Sequence, residues 1–113
     1  MVPSVQPERT PDGRYVVVGG RRWRATDPEI PEDIATDLRR HLMAARRAVA
    51  ASRRNEDAAA EGLARSRVHA AKVALGERGT PWWEQSSTER RLRWEAGAAE
   101  LDAGRTEEDH SAP

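Results

Sequence analysis

The stretch from residue 31 to residue 54 most constrains the fold, because one side of it is apolar and the other is rich in arginine. Three Arg-Arg pairs recur every seven residues, and at about 100° per residue they lie opposite the apolar positions. Pro31 suits the first helical position, and acidic residues follow it in the first turn. A helix of this kind must pack its apolar side against another part of the chain. The apolar positions, which have the spacing of one helical face, are Ile34, Leu38, Leu42, Ala45 and Val49.

A second helix is predicted for residues 57–75, with Gly76 at the position of a C-terminal cap. Residues 55–57 (Asn-Glu-Asp) are typical of a turn or a new helix cap. Because the connection is short, the two helices are expected to lie antiparallel. The apolar stripe of the second helix consists of Ala60, Leu63, Ala64, Val68, Ala71 and Leu75.

Residues 14–26 have the pattern of a β-hairpin, with two β-favouring runs on either side of Gly19 and Gly20. Side chains alternate between the two faces of a strand. One face therefore carries Val16, Val18 and Trp23, and it is expected to pack on the helical pair, because an isolated hairpin is marginally stable. The outer face carries Tyr15, Val17, Arg22 and Arg24.

The composition leaves little apolar bulk for this core. The chain has 19 alanines, no phenylalanine, and 16 residues of valine, isoleucine and leucine together. Tryptophan is therefore expected to close the seam between the helices. Trp82 and Trp83 follow Pro81 on a segment expected to be extended, so that one ring covers the core beside Trp23 and the other points outward. An outward tryptophan is a candidate anchor for a partner, which makes Trp82 and Trp83 the candidate partner-binding residues.

A third, weaker helix is predicted within residues 85–101, where Ser86 and Glu89 have the spacing of a capping box. The predicted organisation is a disordered segment (1–13), a β-hairpin plus helical-hairpin domain (14–84), the third helix (85–101) and a disordered acidic tail (102–113). The predicted fold class is mostly α with a small β element, in which a two-stranded hairpin packs on an antiparallel helical pair.

Several classes of function are excluded by what the sequence lacks. Without cysteine there is no disulfide, no thiolate nucleophile and no cysteine metal site. No apolar run is long enough to span a membrane and no signal-peptide pattern is present, so a cytoplasmic protein is expected. The three histidines are too scattered for a metal site, and His41 is expected to be a neutral residue at the edge of the core. We therefore predict no catalytic residues, no cofactor and no small-molecule substrate.

Charge is distributed unevenly along the chain. Residues 14–93 carry 17 basic and 11 acidic side chains, whereas residues 95–113 carry one basic and six acidic ones. Arginine can bind phosphate through its planar group, and tyrosine can stack on bases. If the hairpin and the first helix present these residues on one side, they would form one nucleic-acid footprint. Its candidate residues are Tyr15, Arg22, Arg24, Arg39, Arg40, Arg46, Arg47, Arg53 and Arg54.

Three strings carry a resemblance to known proteins: DGRYVVVGGRRWRATDPEIP, LMAARRAV and RVHAAKVALGERGTPWWE. Over residues 12–84 the chain resembles a family of short, largely uncharacterised actinobacterial proteins. The resemblance implies a scaffold of hairpin plus helical pair and no established activity. Some members of that family carry the label "biopolymer transporter Tol", which does not fit a chain without a membrane-anchor pattern.

Two functions of different kinds are consistent with these features. The first is a non-catalytic interaction or adaptor protein that associates with itself or with another protein through the outward tryptophan and the hairpin edge. The alternative is a non-specific nucleic-acid-binding protein that uses the arginine-rich hairpin and helix face.

Overall fold

A computed structural model of the chain describes residues 8–111, and it describes side chains for residues 8–104. Within this range three short strands precede three helices. They are β1 (Glu8–Arg9), β2 (Tyr15–Val18), β3 (Arg21–Arg24), α1 (Glu32–Arg54), α2 (Ala58–Ala74) and α3 (Ser87–Ser111), with a 3-10 turn at Trp82–Glu84 between α2 and α3. The fold class predicted from the sequence, mostly α with a small β element, is confirmed.

The helix bounds agree with the predicted ones to within one or two residues at both ends of α1 and α2. Pro31 is the N-cap of α1 rather than its first helical residue, and Asn55 is the C-cap. The carboxylate of Asp57 accepts a hydrogen bond from the backbone N–H of Ala60 and so caps α2. At the other end of α2, Gly76 adopts a φ of +80°, as a capping glycine does.

The sheet has three antiparallel strands in the order β1-β2-β3, one more than predicted. β2 and β3 pair in the predicted register, with Val16 opposite Trp23. The added strand is β1, whose Arg9 lies opposite Val16. Residues 8 and 9 were predicted to be disordered because the segment is rich in proline, but the free edge of β2 offers them backbone hydrogen bonds. Residues 1–7 of the predicted disordered segment lie outside the described range.

The seam between α1 and α2 is closed by α3, whereas the sequence analysis assigned that role to tryptophans of the hairpin and of the Trp82–Trp83 pair. Trp94 and Leu101 of α3 pack with Leu38 and Leu42 of α1 and with Leu75 in one buried cluster. α3 approaches α2 closely, since a Cβ added to Gly97 would lie 2.4 Å from the Cβ of Ala74. The core is therefore a three-helix core.

α3 also continues further than predicted. It begins at the predicted capping box, in which the N–H of Glu89 donates to the Ser86 hydroxyl and the N–H of Ser86 donates to the Glu89 carboxylate. Its backbone then remains helical to Ser111, beyond the predicted end at residue 101. No proline interrupts residues 102–111, so nothing in that segment forces the helix to end. The last two residues of the predicted tail are not described.

Candidate functional site

Asp27 is a buried acidic residue that joins the sheet to the helices. It follows β3 by three residues, and its side chain is fully buried. Its backbone N–H donates to the carbonyl of Leu75 at 2.9 Å, and its carboxylate accepts from the N–H of Glu29 at 2.9 Å. Arg90 and Arg93, one turn apart on α3, both donate to the same carboxylate. We call these four residues, Asp27, Glu29, Arg90 and Arg93, the Asp27 hub.

The charges of the hub are compensated within it. Burial raises the pKa of Asp27, but the hydrogen bonds from Arg90, Arg93 and the N–H of Glu29 outweigh it and hold the pKa below its ordinary value. The hydrogen bond to Asp27 in turn raises the pKa of Arg90, against the opposing effect of burial. Arg90 also lies 3.0 Å from the Glu29 carboxylate. This arrangement leaves no hub charge available for a ligand, and its role is structural.

Trp82 belongs to the same structural unit. Its ring is 8 % exposed, and its indole N–H donates to the carbonyl of Ala25 at 3.0 Å. Gly76 packs closely against both Asp27 and Trp82, since a Cβ added to it would be 3.0 Å from the Cβ of Asp27 and 3.1 Å from Cδ1 of Trp82. The segment that follows β3 and the segment that follows α2 thus meet in space at this point. Trp82 is not the outward tryptophan, so its predicted role as a partner anchor is wrong.

Trp83 lies on the outer face of the sheet instead. The segment predicted to be extended is a 3-10 turn, which places the two rings edge to face at 5.2 Å. The Trp83 ring is half-buried and meets Tyr15 at 5.6 Å. The guanidinium groups of Arg14 and Arg24 lie 4.9 and 5.8 Å from its centroid. This candidate partner-binding residue is therefore held among the chain's own side chains.

Trp23 is the tryptophan that the structure exposes. The sequence analysis expected Val16, Val18 and Trp23 to be covered by the helices, but Trp23 is 43 % exposed and Val18 is 52 % exposed. The physical reason is that α3 supplies the bulk that closes the helical seam, so the inner face of the hairpin is only partly covered. An apolar face of the sheet is left open toward the solvent beside α1 and α2.

A groove of about 500 Å³ runs along this open face. We call it the Trp23 groove, and its defining residues are Arg9, Val16, Val18, Trp23, Arg46 and Lys72. Four of the described basic residues line the groove, and one of them, Arg24, donates to the backbone carbonyl of Gly79 at 2.7 Å. The other three come from three different elements: Arg9 from β1, Arg46 from α1 and Lys72 from α2. Within the part of the chain that the structure describes, none of the three forms an ion pair with a carboxylate.

The electrostatics of the groove are dominated by positive charge. Burial lowers the pKa of Lys72, and the nearby positive charges of Arg78 and Arg46 lower it further, whereas Glu77 acts in the opposite direction. Glu77 is the one acidic side chain among the described residues of the lining, and it accepts a hydrogen bond from the Thr26 hydroxyl at 2.7 Å. Arg21 and Lys72 lie 4.6 and 5.6 Å from the centroid of the Trp23 ring.

The nucleic-acid residues predicted from the sequence do not form one footprint. Of the six arginines on α1, all of which are exposed, Arg46 alone lines the groove. A separate surface depression of about 320 Å³ is lined by three others, Arg39, Arg40 and Arg47. Arg53 and Arg54 lie in the last turn of α1. Tyr15 and Arg22 are on the outer face of the sheet, where Arg22 lies 4.4 Å from the Tyr15 ring. Arg24 contacts Trp83 on that face and also borders the groove.

Two groove residues, Arg9 and Lys72, were missed by the sequence analysis. Arg9 was assigned to a disordered segment, so nothing suggested that it would join the sheet. Lys72 is the single lysine of the chain and lies at the edge of the predicted stripe of α2. Their proximity to Trp23 depends on how the sheet meets the helices, and no local pattern contains that information.

His41 lies in a small polar cluster rather than alone at the edge of the core. It is 4 % exposed, and its Nε2 lies 2.9 Å from Asp102 and 3.9 Å from Asp37. The possible ligand atoms of these three residues lie within 4.8 Å of one another. Acidic groups commonly gather in this way without a metal, and the contact with Asp102 is the partner that a buried histidine requires.

Comparisons with protein-family models, with curated proteins and with solved structures returned no match to this chain. Among the helices of the described residues, none combines the length and the apolar character needed to cross a bilayer.

Proposed function

We propose that this protein binds nucleic acid through the Trp23 groove, by contacts to phosphate and without catalysis. The observation that carries the proposal is the convergence of Arg9, Arg46 and Lys72, from three separate elements, around an exposed tryptophan. Cations that lie together without a carboxylate partner repel one another. An anion bound between them would offset that repulsion, which together with the larger effect of burial lowers the pKa of Lys72.

A polymeric anion fits better than a single small one because positive charge continues beyond the groove. Arg21 extends it toward the tip of the hairpin, and Arg78 extends it past the end of α2. A phosphate backbone can contact such a series of cations at once, and each contact releases counterions. The combination of aromatic and basic side chains is also the one found in proteins that bind single-stranded nucleic acid.

The interaction function predicted from the sequence stays a prediction, and its candidate anchors are not free to contact a partner. Its candidate anchors were Trp82 and Trp83, but the first is buried and the second is held by Tyr15 and two arginines. The exposed apolar side chains that remain near the sheet, Trp23 and Val18, are bordered by cations. An acidic ligand is therefore favoured over an apolar protein surface at this site.

The test is a binding titration of a fluorescently labelled 20-nucleotide oligomer, followed by anisotropy, at 50 and 200 mM salt. If about four phosphates are contacted, the affinity should fall roughly 50-fold over this range for a single strand. A variant with Arg46→Ala and Lys72→Ala removes two contacts, and the slope of log affinity against log salt should decrease in magnitude by about 1.4.

A matched control carries Arg53→Ala and Arg54→Ala. It loses the same number of positive charges, both from the helix that carries Arg46 and about 10 Å from that residue at 1.5 Å per residue. We expect it to keep the affinity within a factor of two or three and to leave the salt slope unchanged. Absence of binding at 50 mM salt, an affinity independent of salt, or equal losses in the two variants would refute the proposal. Sedimentation of the free protein in the same buffer tests the predicted self-association separately.

A further inference from the structure

The Trp23 groove is chemically divided in a way that simple phosphate binding does not require. Its sheet side is apolar, formed by Val16 and Val18 next to the Trp23 ring. The cations that border this apolar surface are Arg9 and Arg24 from the sheet, Arg46 from α1 and Lys72 from α2. A site for phosphate alone would need only the cations. An apolar surface with a wide aromatic ring beside a set of cations matches a nucleotide, which has a flat base at one end and an anionic phosphate at the other.

The Trp23 ring is accessible to such a base. It is 43 % exposed, although it lies on the face that the sequence pattern predicted to be covered. The guanidinium of Arg21, 4.6 Å from the ring centroid, belongs to an exposed side chain with no ion pair among the described residues. Arg21 can therefore leave the ring for a phosphate without breaking an ion pair, and a base can take its place on the indole.

The size of the groove limits which form of nucleic acid can reach the ring. Its volume of about 500 Å³ falls in the usual range for a site that encloses a small organic ligand. An unpaired base with its sugar can enter a cavity of this size. In a duplex the bases are stacked and paired, so a flat face can reach the indole only after a nucleotide is flipped out at a free-energy cost.

From these observations we infer that an unpaired nucleobase stacks on Trp23 while the cations hold its phosphates, so that the chain prefers single-stranded to duplex nucleic acid. This inference rests on the proposed nucleic-acid function and adds the class of ligand to it. Trp23 supplies affinity through stacking, and Arg46 and Lys72 supply the salt-dependent part.

The experiment compares four probes at one salt concentration: a labelled 15-nucleotide single strand, the same strand in a duplex, inorganic polyphosphate of similar charge, and a mononucleotide. The protein is the full chain, as wild type, Trp23→Ala and Trp23→Phe. Because Trp23 is 43 % exposed and lies outside the buried core cluster, we expect both variants to fold, which circular dichroism and urea titration will check. The phenylalanine variant keeps an aromatic face and controls for loss of packing.

For Trp23→Ala we expect a roughly five- to 150-fold loss of affinity for the single strand, the range for removing one base-stacking contact. Affinity for polyphosphate should stay within twofold, and Trp23→Phe should retain most of the single-strand affinity. Tryptophan fluorescence should be quenched when the single strand binds to wild type. In Trp23→Phe that quenching should disappear, since the other three tryptophans are farther from the ligand.

Equal affinity of wild type for the single strand and the duplex would overturn the inference. An equal loss for polyphosphate in Trp23→Ala would also overturn it, because the ring would then serve only to position cations. Binding of the mononucleotide as tight as that of the oligomer would make a free nucleotide the ligand instead. In the first two cases salt-dependent binding persists and the proposed function stands, whereas a wild type that binds no polyanion refutes that function itself.

Discussion

Replacing Asp27 by asparagine removes one negative charge from the Asp27 hub and leaves the size and shape of the side chain nearly unchanged. In the wild type the carboxylate accepts hydrogen bonds from two guanidinium groups and from the N–H of Glu29. The arginine side chains are only 13 % and 8 % exposed, so water cannot replace the lost partner. Breaking a buried ion pair from one side is therefore costly.

The size of the expected stability loss depends on which arginine loses its carboxylate partner in Asp27→Asn. Arg90 keeps a carboxylate, since Glu29 lies 3.0 Å away. Arg93 keeps only neutral acceptors, the carbonyl of Ala74 and the side chain of Gln85. One uncompensated buried cation places the loss near the lower end of the usual range, at about 3 kcal/mol of unfolding free energy. A domain of this length has a total of about 5–15 kcal/mol, so the variant should fold but with much reduced stability.

Urea denaturation monitored by tryptophan fluorescence will measure this loss. At an m-value of about 1.5 kcal/mol/M, the midpoint should fall by about 2 M. The control is Asp57→Asn, the same chemical change at an exposed cap of α2, where asparagine caps a helix as well as aspartate does. We expect the control to differ from wild type by less than about 0.5 kcal/mol. A loss below about 1 kcal/mol in Asp27→Asn would mean that the hub does not hold the fold together as argued here.

The same residue gives a pH dependence of defined sign. The pKa of Asp27 is lower in the folded chain than in the unfolded chain, so the unfolded state takes up its proton first as the pH falls. The stabilisation by Asp27 is therefore complete above the unfolded pKa, and it is lost as the pH falls through the folded pKa. Stability measured between pH 7 and pH 3 should decrease more steeply in wild type than in Asp27→Asn. Parallel curves for the two proteins would contradict the assignment.

Three further variants replace glycines, two of them at close contacts. Gly97→Ala places a Cβ 2.4 Å from the Cβ of Ala74, and the resulting overpacking should cost about 1–3 kcal/mol of unfolding free energy, more than the gain of about 1 kcal/mol in helix propensity. Gly62→Ala, where an added Cβ has no heavy atom within 4 Å, should instead stabilise α2 by about 0.5–1 kcal/mol. Thermal unfolding of both variants tests this, and a stabilised Gly97→Ala would contradict the close packing of α2 and α3. Gly76→Ala introduces a side chain at a φ of +80° and 3.0 Å from the Cβ of Asp27, and it should lower the free energy of unfolding by about 1–3 kcal/mol. Urea titration tests this, and an unchanged midpoint would show that the hub can move aside.

The helices could be predicted from the sequence because their signals are local. The apolar stripe of α1 repeats within a few residues, and Asp57, Gly76 and Ser86 each act on backbone groups at most three or four residues away. The hairpin register followed from a two-residue loop in the same way. The helix α3 was predicted from its capping box, but its packing face was missed, although Trp94, Gly97, Ala98 and Leu101 have the spacing of such a face.

The contacts that place the sheet against the helices could not be predicted from local patterns. Asp27 and Arg93 are 66 residues apart, and no spacing rule joins an aspartate in a loop to an arginine on a weak helix. Alternation along β2 and β3 identifies the two faces of the hairpin but not which one is covered. The choice depends on how much bulk the rest of the core supplies, and here α3 supplies it. The sequence analysis did not count the bulk of α3, so it placed Trp23 in the core and missed the groove beside it.

The Asp27 hub and the Trp23 groove are built on the same two segments of the chain, the end of the hairpin and the end of α2. Effects on stability and effects on binding therefore have to be separated by choosing different variants. The segment that leads from Trp23 to Asp27 is short, and the backbone hydrogen bond from Asp27 to Leu75 fixes it near the end of α2, three residues after Lys72. Loss of the hub contacts therefore separates Trp23 from Lys72 only in molecules that lose the fold, and a hub variant should weaken binding in proportion to the fraction of such molecules. Changes at Trp23, Arg46 and Lys72 touch no hub contact and should alter binding while leaving the urea midpoint nearly unchanged. If hub variants that remain fully folded lost binding as completely as the Arg46→Ala and Lys72→Ala pair, the hub itself would have to be part of the ligand site.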